Sequence, residues 1–365
     1  MPSLFDPIDY GAIAAPNRIV MAPLTRGRGT RDHTPTDIMV EYYRQRAGAG
    51  LIVSEGTGIS QEGLGWPFAP GLWRDDQVEA WKPVTDAVHQ AGGRIVAQLW
   101  HMGRVVHSSF NDGRPGVSAS ATTAPGEAHS YIGRVPYEPA RPLRLDEIPR
   151  LLDDYALAAE NARKAGFDGV QLHAANGYLI DQFLRDNSNL RDDDYGGPVE
   201  NRIRLLREVT ETLASVLGAD RVGVRLSPNG DSQGVNDSDP ESVFTAAAAA
   251  LDALNIAFLE LREPGPDGTF GATDVPKQSP AIREVFRRPL ILNSDLDQAK
   301  GQALLDSGLA DAVSFGRPFI TNPDLVERFR VGAPIADSSF RPSFYSQGPE
   351  GYIDYPTAAL AIDAA

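Results

Sequence analysis

The stretch GVQLHAANGYLIDQFL, residues 169–184, decides the fold. It opens as a short apolar run of period two (Val170, Leu172), turns polar at His173, Asn176 and Tyr178, and closes as an amphipathic run to Leu184. That order predicts a strand whose end delivers polar groups into a loop before a helix begins. His173 and Asn176 can both donate hydrogen bonds, and Tyr178 carries a phenol that can donate a proton. Two donors and a proton source close together suit a reaction in which negative charge builds on a substrate oxygen while a carbon is protonated. Taken alone, the same residues also read as a satisfied core histidine and a packing tyrosine.

The strand-then-helix rhythm repeats on both sides of this stretch. Strands are expected at 19–23, 51–55, 94–99, into His173, at 222–227, at 256–261, at LILN (290–293) and at DAVSFG (311–316). Helices are expected at 37–46, 75–90, 146–164, 199–217, 240–253, 279–286 and 297–306, with a closing helix after the last strand. Alternation of this kind implies parallel pairing with right-handed crossovers, and eight such units favour a closed (β/α)8 TIM barrel, one domain over 1–365, above an open doubly wound sheet. No strand is followed by G-x-G-x-x-G, which agrees. Residues 100–145 are rich in Gly, Pro, Ser and Ala with little periodicity, too long for an ordinary connection, and are expected to form an excursion over the barrel mouth. The tail from Arg341 to Ala365 carries aromatic residues that need somewhere to pack.

The chain has 365 residues, 34 Lys and Arg against 49 Asp and Glu, and a formal charge of −15. An acidic surface makes nucleic acid and anionic membrane unsuitable partners. With no cysteine there is no disulfide, thiolate nucleophile, iron–sulfur cluster or cysteine zinc site. No signal-like leader and no apolar run of membrane-spanning length stand out, so a cytoplasmic protein is expected, with a monomer the preferred state.

In a barrel the chemistry sits where the strands end. Those ends hold Pro23, Leu24 and Thr25, then Gly56, then Gln98 and Trp100, then His173, Asn176 and Tyr178, then Arg225, then Asn293, Ser294 and Asp295, and last Gly316 and Arg317. They contain no carboxylate and histidine cluster suited to a catalytic metal. They suit a flat, polar-edged ligand with a phosphate tail, for which the seventh and eighth strands of this fold commonly provide a helix N-terminus. Arg317 beside the small Gly316 fits the phosphate role, a surface salt bridge being the alternative.

With these residues in view, the sequence resembles the Old Yellow Enzyme family of FMN-dependent ene-reductases along essentially its whole length, nearest to the nitrate-ester and N-ethylmaleimide reductase-like subgroup. The matching segments are MAPLTR, QLWHMGR, RLDEIP, GFDGVQLHAANGYLIDQFL, GVRLSP, GRPFITNPDL and the tail FY…EGYIDYP. The resemblance implies that Pro23, Leu24, Thr25, Gly56, Gln98 and Arg225 surround the isoalloxazine and that Gly316 and Arg317 hold the FMN phosphate. It further implies that His173 and Asn176 bind the substrate oxygen, that Tyr178 is the proton donor, and that Trp66, Trp100 and Tyr345 line the substrate pocket. Ser294 and Asp295 stand where the family more usually has Gly-Ala or Gly-Tyr at the phosphate turn. A carboxylate facing a phosphate is repulsive, so Asp295 is expected to point away, capping the helix that begins near Asp297.

The activity implied is ping-pong reduction by NAD(P)H of activated C=C bonds in enones or nitroalkenes, with nitrate esters or nitroaromatics as further substrates, through hydride from flavin N5. Two readings of other classes stand beside it. One is a flavin-free barrel lyase or isomerase of a phosphorylated small molecule, and the other a non-catalytic FMN-binding protein.

Overall fold

Period-two alternation sorts the side chains of every barrel strand into two sets, and the computed structural model, which describes residues 1–358, shows where each set goes. The strands are β1 Ile19–Met21, β2 Leu51–Val53, β3 Ile95–Trp100, β4 Gly169–His173, β5 Val222–Leu226, β6 Phe258–Arg262, β7 Leu290–Asn293 and β8 Ala312–Phe315. Each pairs in parallel with the next, and β8 returns to β1 through Val313↔Ile19, so the sheet closes. The two-residue strand Thr57–Gly58 adds onto the end of β3. The expected fold class is therefore the observed one. Residues 359–365, the end of the expected domain and tail, lie outside the described residues.

The outward set is apolar. Ile95, Ala97, Leu99, Val170, Leu172, Val222, Val224, Leu259, Leu261, Leu290 and Val313 join one buried cluster with the surrounding helices. These helices are α1 Asp37–Gln45, α2 Asp75–Gln90, α3 Ile148–Lys164, α4 Arg204–Leu217, α5 Pro240–Ala253, α6 Ser279–Val285, α7 Gln298–Asp306 and α8 Leu325–Val331. Burial of these side chains, worth roughly 1.5–3 kcal/mol for each Val, Leu or Ile removed from water, is what orients the strands. Several boundaries differ from expectation by a residue or two, and two of the differences have a visible cause. The helix expected over 199–217 is interrupted at Ile203, where Arg202 turns inward to the Leu184 carbonyl at 2.6 Å while Arg204 reaches Asp194 O at 2.6 Å. Strand β6 starts at Phe258 rather than 256, because Asn255 holds a left-handed turn (φ 57°) and the ladder with β5 begins at Gly223↔Phe258.

The inward set changes character along the barrel axis. At the bottom, Val20, Leu51, Val53, Val96, Phe258, Ile291 and Ala312 form a separate apolar plug closed by Tyr10, Ile13 and Ala15. These last three come from a hairpin, Ile8–Tyr10 with Ile13–Ala15, that the sequence reading did not anticipate. Its turn uses Gly11 at φ 59°, where a Cβ would stand 2.3 Å from the Asp220 carbonyl oxygen, so glycine is required there. Above the plug the inward residues are polar.

The 100–145 excursion forms short 3-10 turns at Gly103–Val105 and Ser108–Phe110 and a hairpin, Glu127–Ser130 with Gly133–Pro136. Its Met102, Val105, Val106, Phe110 and Ala124 pack with Trp100 and Leu64, with Trp66, Tyr137 and Tyr178 against the same cluster, so it does sit over the mouth. The tail is tied down from the other side. Arg26 and Arg28, both buried, donate to the Phe344 carbonyl at 3.0 and 2.7 Å; Arg26 also donates to Gly351 O at 2.5 Å and Arg28 to Ser343 O at 2.8 Å. Their guanidinium groups lie over the Tyr352 ring at 5.1 and 4.6 Å.

Candidate active site

Strand register assembles the polar layer. His173 on β4 is opposite Arg225 on β5, Arg225 is opposite Glu260 on β6, and Arg262 is opposite Asn293 on β7. Gln98 Nε2 donates to Gln171 Oε1 at 2.8 Å, and Gln171 Nε2 donates to Glu260 Oε2 at 2.8 Å. Glu260 Oε1 accepts from Arg225 Nη1 at 2.9 Å and from the Ser314 hydroxyl at 2.6 Å, while Arg225 Nη2 donates to Asn293 Oδ1 at 3.0 Å. Buried charge is tolerable here because the carboxylate is matched to a cation and to two neutral donors.

The loop after β4 is locked just as firmly. The Asn176 N–H donates to Ser227 Oγ at 2.7 Å, the Gly177 N–H to Asp181 Oδ2 at 2.9 Å, and Gln182 Nε2 to the Gly177 carbonyl at 2.7 Å. Asp181 is itself held by Arg185 at 2.8 Å, both side chains fully buried. Asn176 therefore keeps a left-handed backbone, φ 58°, which asparagine tolerates better than most residues.

Hydrogen bonds show which atoms of His173 and Asn176 are occupied and which are left to donate. His173 Nδ1 accepts the Ala175 N–H at 3.3 Å, which leaves Nε2 as the protonated ring nitrogen. Burial, then the charges of Arg225 and Arg262, hold this imidazole well below the usual histidine range, so it is neutral at pH 7. Asn176 Oδ1 accepts from Arg262 Nη1 at 3.1 Å, which turns the amide so that its NH2 hydrogens stay available. The Tyr178 ring stands edge-on to both His173 and Trp100, at 4.9 and 5.0 Å between centroids. Burial pushes its phenol up, so it keeps its proton throughout the neutral range. Trp100 lies nearly parallel to His173 at 6.2 Å, and Trp66 approaches Tyr345 at 6.2 Å, placing the expected pocket residues on one side of the mouth.

The remaining expected residues are distributed around the same opening. Pro23, Leu24 and Thr25 are half-buried after β1. Gly56 is buried under Trp100, where a Cβ would fall 2.6 Å from the indole, so a larger residue would push that ring out of place. Gly316 and Arg317 are half-buried at the end of β8. Asp295 corrects an expectation. It does not cap a helix: its carboxylate accepts from the Thr269 N–H at 3.2 Å and from the Thr269 hydroxyl, and lies 3.8 Å from Arg317. The cap of α7 is Asp297, accepting from the Lys300 N–H at 2.8 Å. The cause is backbone: Ser294 and Asp295 have φ of 121° and 49°, a turn that aims the carboxylate at the loop holding Thr269.

The inward residues Gln171, Glu260 and Arg262 were missed by inspection of strand ends alone. Their signal was present in FLELR (258–262) and GVQLH (169–173), where polar residues at alternate positions of an otherwise apolar strand mark the inward face.

A model of the NADH:flavin oxidoreductase / NADH oxidase family matches residues 3–335. The solved structure of the old yellow enzyme homologue from Zymomonas mobilis is 64% identical with a TM-score of 0.96, covering 97% of this chain and 99% of that one. The chain belongs to the Old Yellow Enzyme family. Similarity within the family extends to morphinone reductase, whose structure in complex with tetrahydroNAD is 43% identical with a TM-score of 0.92, covering 98% of each chain. It extends also to 12-oxophytodienoate reductase 2 of Arabidopsis thaliana, 37% identical over 97% of this chain and 95% of that protein.

Membership of this FMN-dependent family implies an oxidoreductase with FMN as cofactor. The residues fit that group. Among the described residues Arg225 Nε is buried without a hydrogen-bond partner, a donor suited to the polar edge of a flavin. At Gly316 a Cβ would touch only the Leu24 side chain, at 3.4 Å, so glycine keeps that part of the mouth clear.

Proposed function

We propose that the protein is an NAD(P)H-dependent ene-reductase acting on α,β-unsaturated carbonyl and nitro compounds, with nitrate esters and nitroaromatics as further acceptors. The observation that carries this is the arrangement of His173 and Asn176. Each has its accepting atom occupied by a protein donor, so each presents only N–H groups beside a protonated Tyr178.

Bound FMN would supply hydride transfer, taken from the nicotinamide and passed to the β-carbon. Pro23, Leu24, Thr25, Gly56, Gln98 and Arg225 would surround its ring, with Ser294, Asp295, Gly316 and Arg317 at the phosphate end. His173 and Asn176 would bind the carbonyl or nitro oxygen and stabilise the charge that gathers there, and removal of one such preorganised donor typically costs on the order of 10²–10³ in rate. Tyr178 would deliver its proton to the α-carbon. Trp66, Trp100 and Tyr345 would exclude water and hold the conjugated substrate flat.

Anaerobic titration of the yellow protein with NADPH and with NADH, followed by a panel of enones, nitroalkenes, quinones and nitrate esters, tests the reading. Bleaching by a reduced nicotinamide and recovery with an enone are expected. A protein that cannot be loaded with FMN, or that is reduced but returns no electrons to any enone, would discard it.

A further inference from the structure

Arg262 ends β6 inside the barrel mouth, 3% exposed, and among the described residues no carboxylate lies within ion-pair distance of it. Its neighbour Arg225 is matched to Glu260, whereas Arg262 has no such ion pair among the described residues. Its Nη1 donates to Asn176 Oδ1 at 3.1 Å and to Ser232 Oγ at 3.2 Å, its Nη2 donates to the Phe270 carbonyl, and its guanidinium lies over the Phe270 ring at 4.5 Å. One side chain thus joins the loops after β4, β5 and β6. Burial, then repulsion from Arg225, draws its pKa down to about 10, which leaves it charged at neutral pH. A desolvated cation with only neutral acceptors is an unfavourable arrangement unless an anion shares the site during function.

We propose that Arg262 is a positioning and specificity-determining residue, which fixes the Asn176 amide with its NH2 toward the ligand oxygen and biases the pocket toward ligands whose oxygen is anionic or becomes so. The class named is phenolates and nitroalkenes, the latter gathering a full nitronate charge. The proposal rests on the reading of His173 and Asn176 as the oxygen-binding pair.

The surrounding groups leave that bias in place. His173 from β4 is neutral, and Tyr178, with Tyr137 from the excursion and Tyr345 from the tail, is held protonated by burial. Arg225 on β5 adds positive charge already shared with Glu260. Of the acids that oppose Arg262, Asp181 is paired with Arg185, Asp295 is engaged by Thr269 near Arg317, and Asp231 is exposed.

The test uses FMN-loaded protein and 4-hydroxybenzaldehyde as probe, with benzaldehyde as its neutral counterpart, titrated from pH 6 to 9. In the unsubstituted protein the bound phenol should ionise below its free pKa. Arg262→Met should weaken phenolate binding roughly ten-fold and raise the ionisation midpoint of the bound phenol by about one unit, the same change expressed two ways. Benzaldehyde binding should change less than three-fold. Arg262→Lys should keep the midpoint low but slow enone turnover at saturation, because an ammonium cannot hold Asn176 and Ser232 together. If the unsubstituted protein binds no phenol, the oxygen-binding reading fails and takes the proposal with it. If it binds phenol and Arg262→Met leaves affinity and midpoint unchanged, only the assignment to Arg262 is overturned. Should Arg262→Met not fold, Arg262→Lys decides alone: a low midpoint with slowed turnover supports the proposal, and any other pattern overturns it.

Discussion

Arg225 and Glu260 form an ion pair of 2.9 Å across β5 and β6, with both side chains buried inside the barrel. The pair means that any positive charge Arg225 offers a flavin is shared with a carboxylate beneath it. A unit charge pair at about 4 Å and an effective dielectric near 20 interacts by about 4 kcal/mol, so sharing matters. Arg225→Ala should therefore lower the reduction potential of the bound flavin and weaken its retention. Glu260→Gln should do the reverse and raise the potential by a few tens of millivolts, about 30 mV for each 1.4 kcal/mol in a two-electron couple. Redox titration of the two variants checks the signs, and a shift in the same direction for both would rule the shared-charge account out.

Tyr178→Phe separates hydride from proton. Enones need a proton on carbon and quinones do not, so the variant should be reduced by NAD(P)H almost normally, lose enone turnover by about 10²-fold or more, and keep quinone turnover. Stopped-flow measurement of both half-reactions reads this directly. Because burial raises the phenol, enone turnover in the unsubstituted protein should show no alkaline loss from Tyr178 through pH 9.

His173→Ala removes a neutral N–H donor and leaves the FMN environment otherwise intact. Phenolic ligands should bind more weakly and enone reduction should slow by about 10²–10³. Unchanged ligand affinity in a difference-spectrum titration would return His173 to a structural role.

Acid should destabilise the fold through its buried imidazoles. His101 is buried and held down to about 4, chiefly by burial, and His173 is also depressed. The unfolded chain takes up these protons first, so stability is full above pH 6.5 and falls as the pH drops toward 4. His101 contributes a slope of about 1.4 kcal/mol per pH unit in that window, and His173 adds stability lost in the same direction. His101→Gln, whose side-chain oxygen can accept the Gly103 N–H that His101 Nδ1 now accepts at 3.1 Å, should flatten the denaturation profile by one proton between those limits.

Ser294, in the turn after β7, offers a stability test. Its φ of 121° is a region that L side chains rarely adopt, with a typical cost of 1–3 kcal/mol, offset in part by the greater chain entropy of glycine. Ser294→Gly should raise the unfolding free energy by about 1 kcal/mol.

The barrel was legible because its signal is periodic and repeated: apolar outward residues such as Val170 and Leu172, with turn chemistry between them. Most residues named at strand ends lie around one opening for the same reason, since register places His173 beside Arg225 and Arg225 beside Glu260. What was not legible depended on side chains meeting across distant segments. Asp295 was expected to cap the next helix, but two positive φ angles turn it toward Thr269, 26 residues away in sequence. The alternation in FLELR marks Arg262 as inward, but its role lies in an interaction with Asn176, 86 positions earlier, which no local pattern shows. The N-terminal hairpin was too short for its period to register, although it plugs the barrel.

The clamp of Arg26 and Arg28 on the tail carries a consequence for biogenesis. These arginines follow β1 and are made early, whereas the carbonyls of Ser343, Phe344 and Gly351 that receive them emerge after every barrel strand. Domains gain structure from the N-terminus onward as translation proceeds. Until those carbonyls have been made, neither guanidinium group has its partners in the tail. The tail is thus joined to the barrel by contacts between residues more than 300 positions apart, and it can dock only after the last barrel strand has been made.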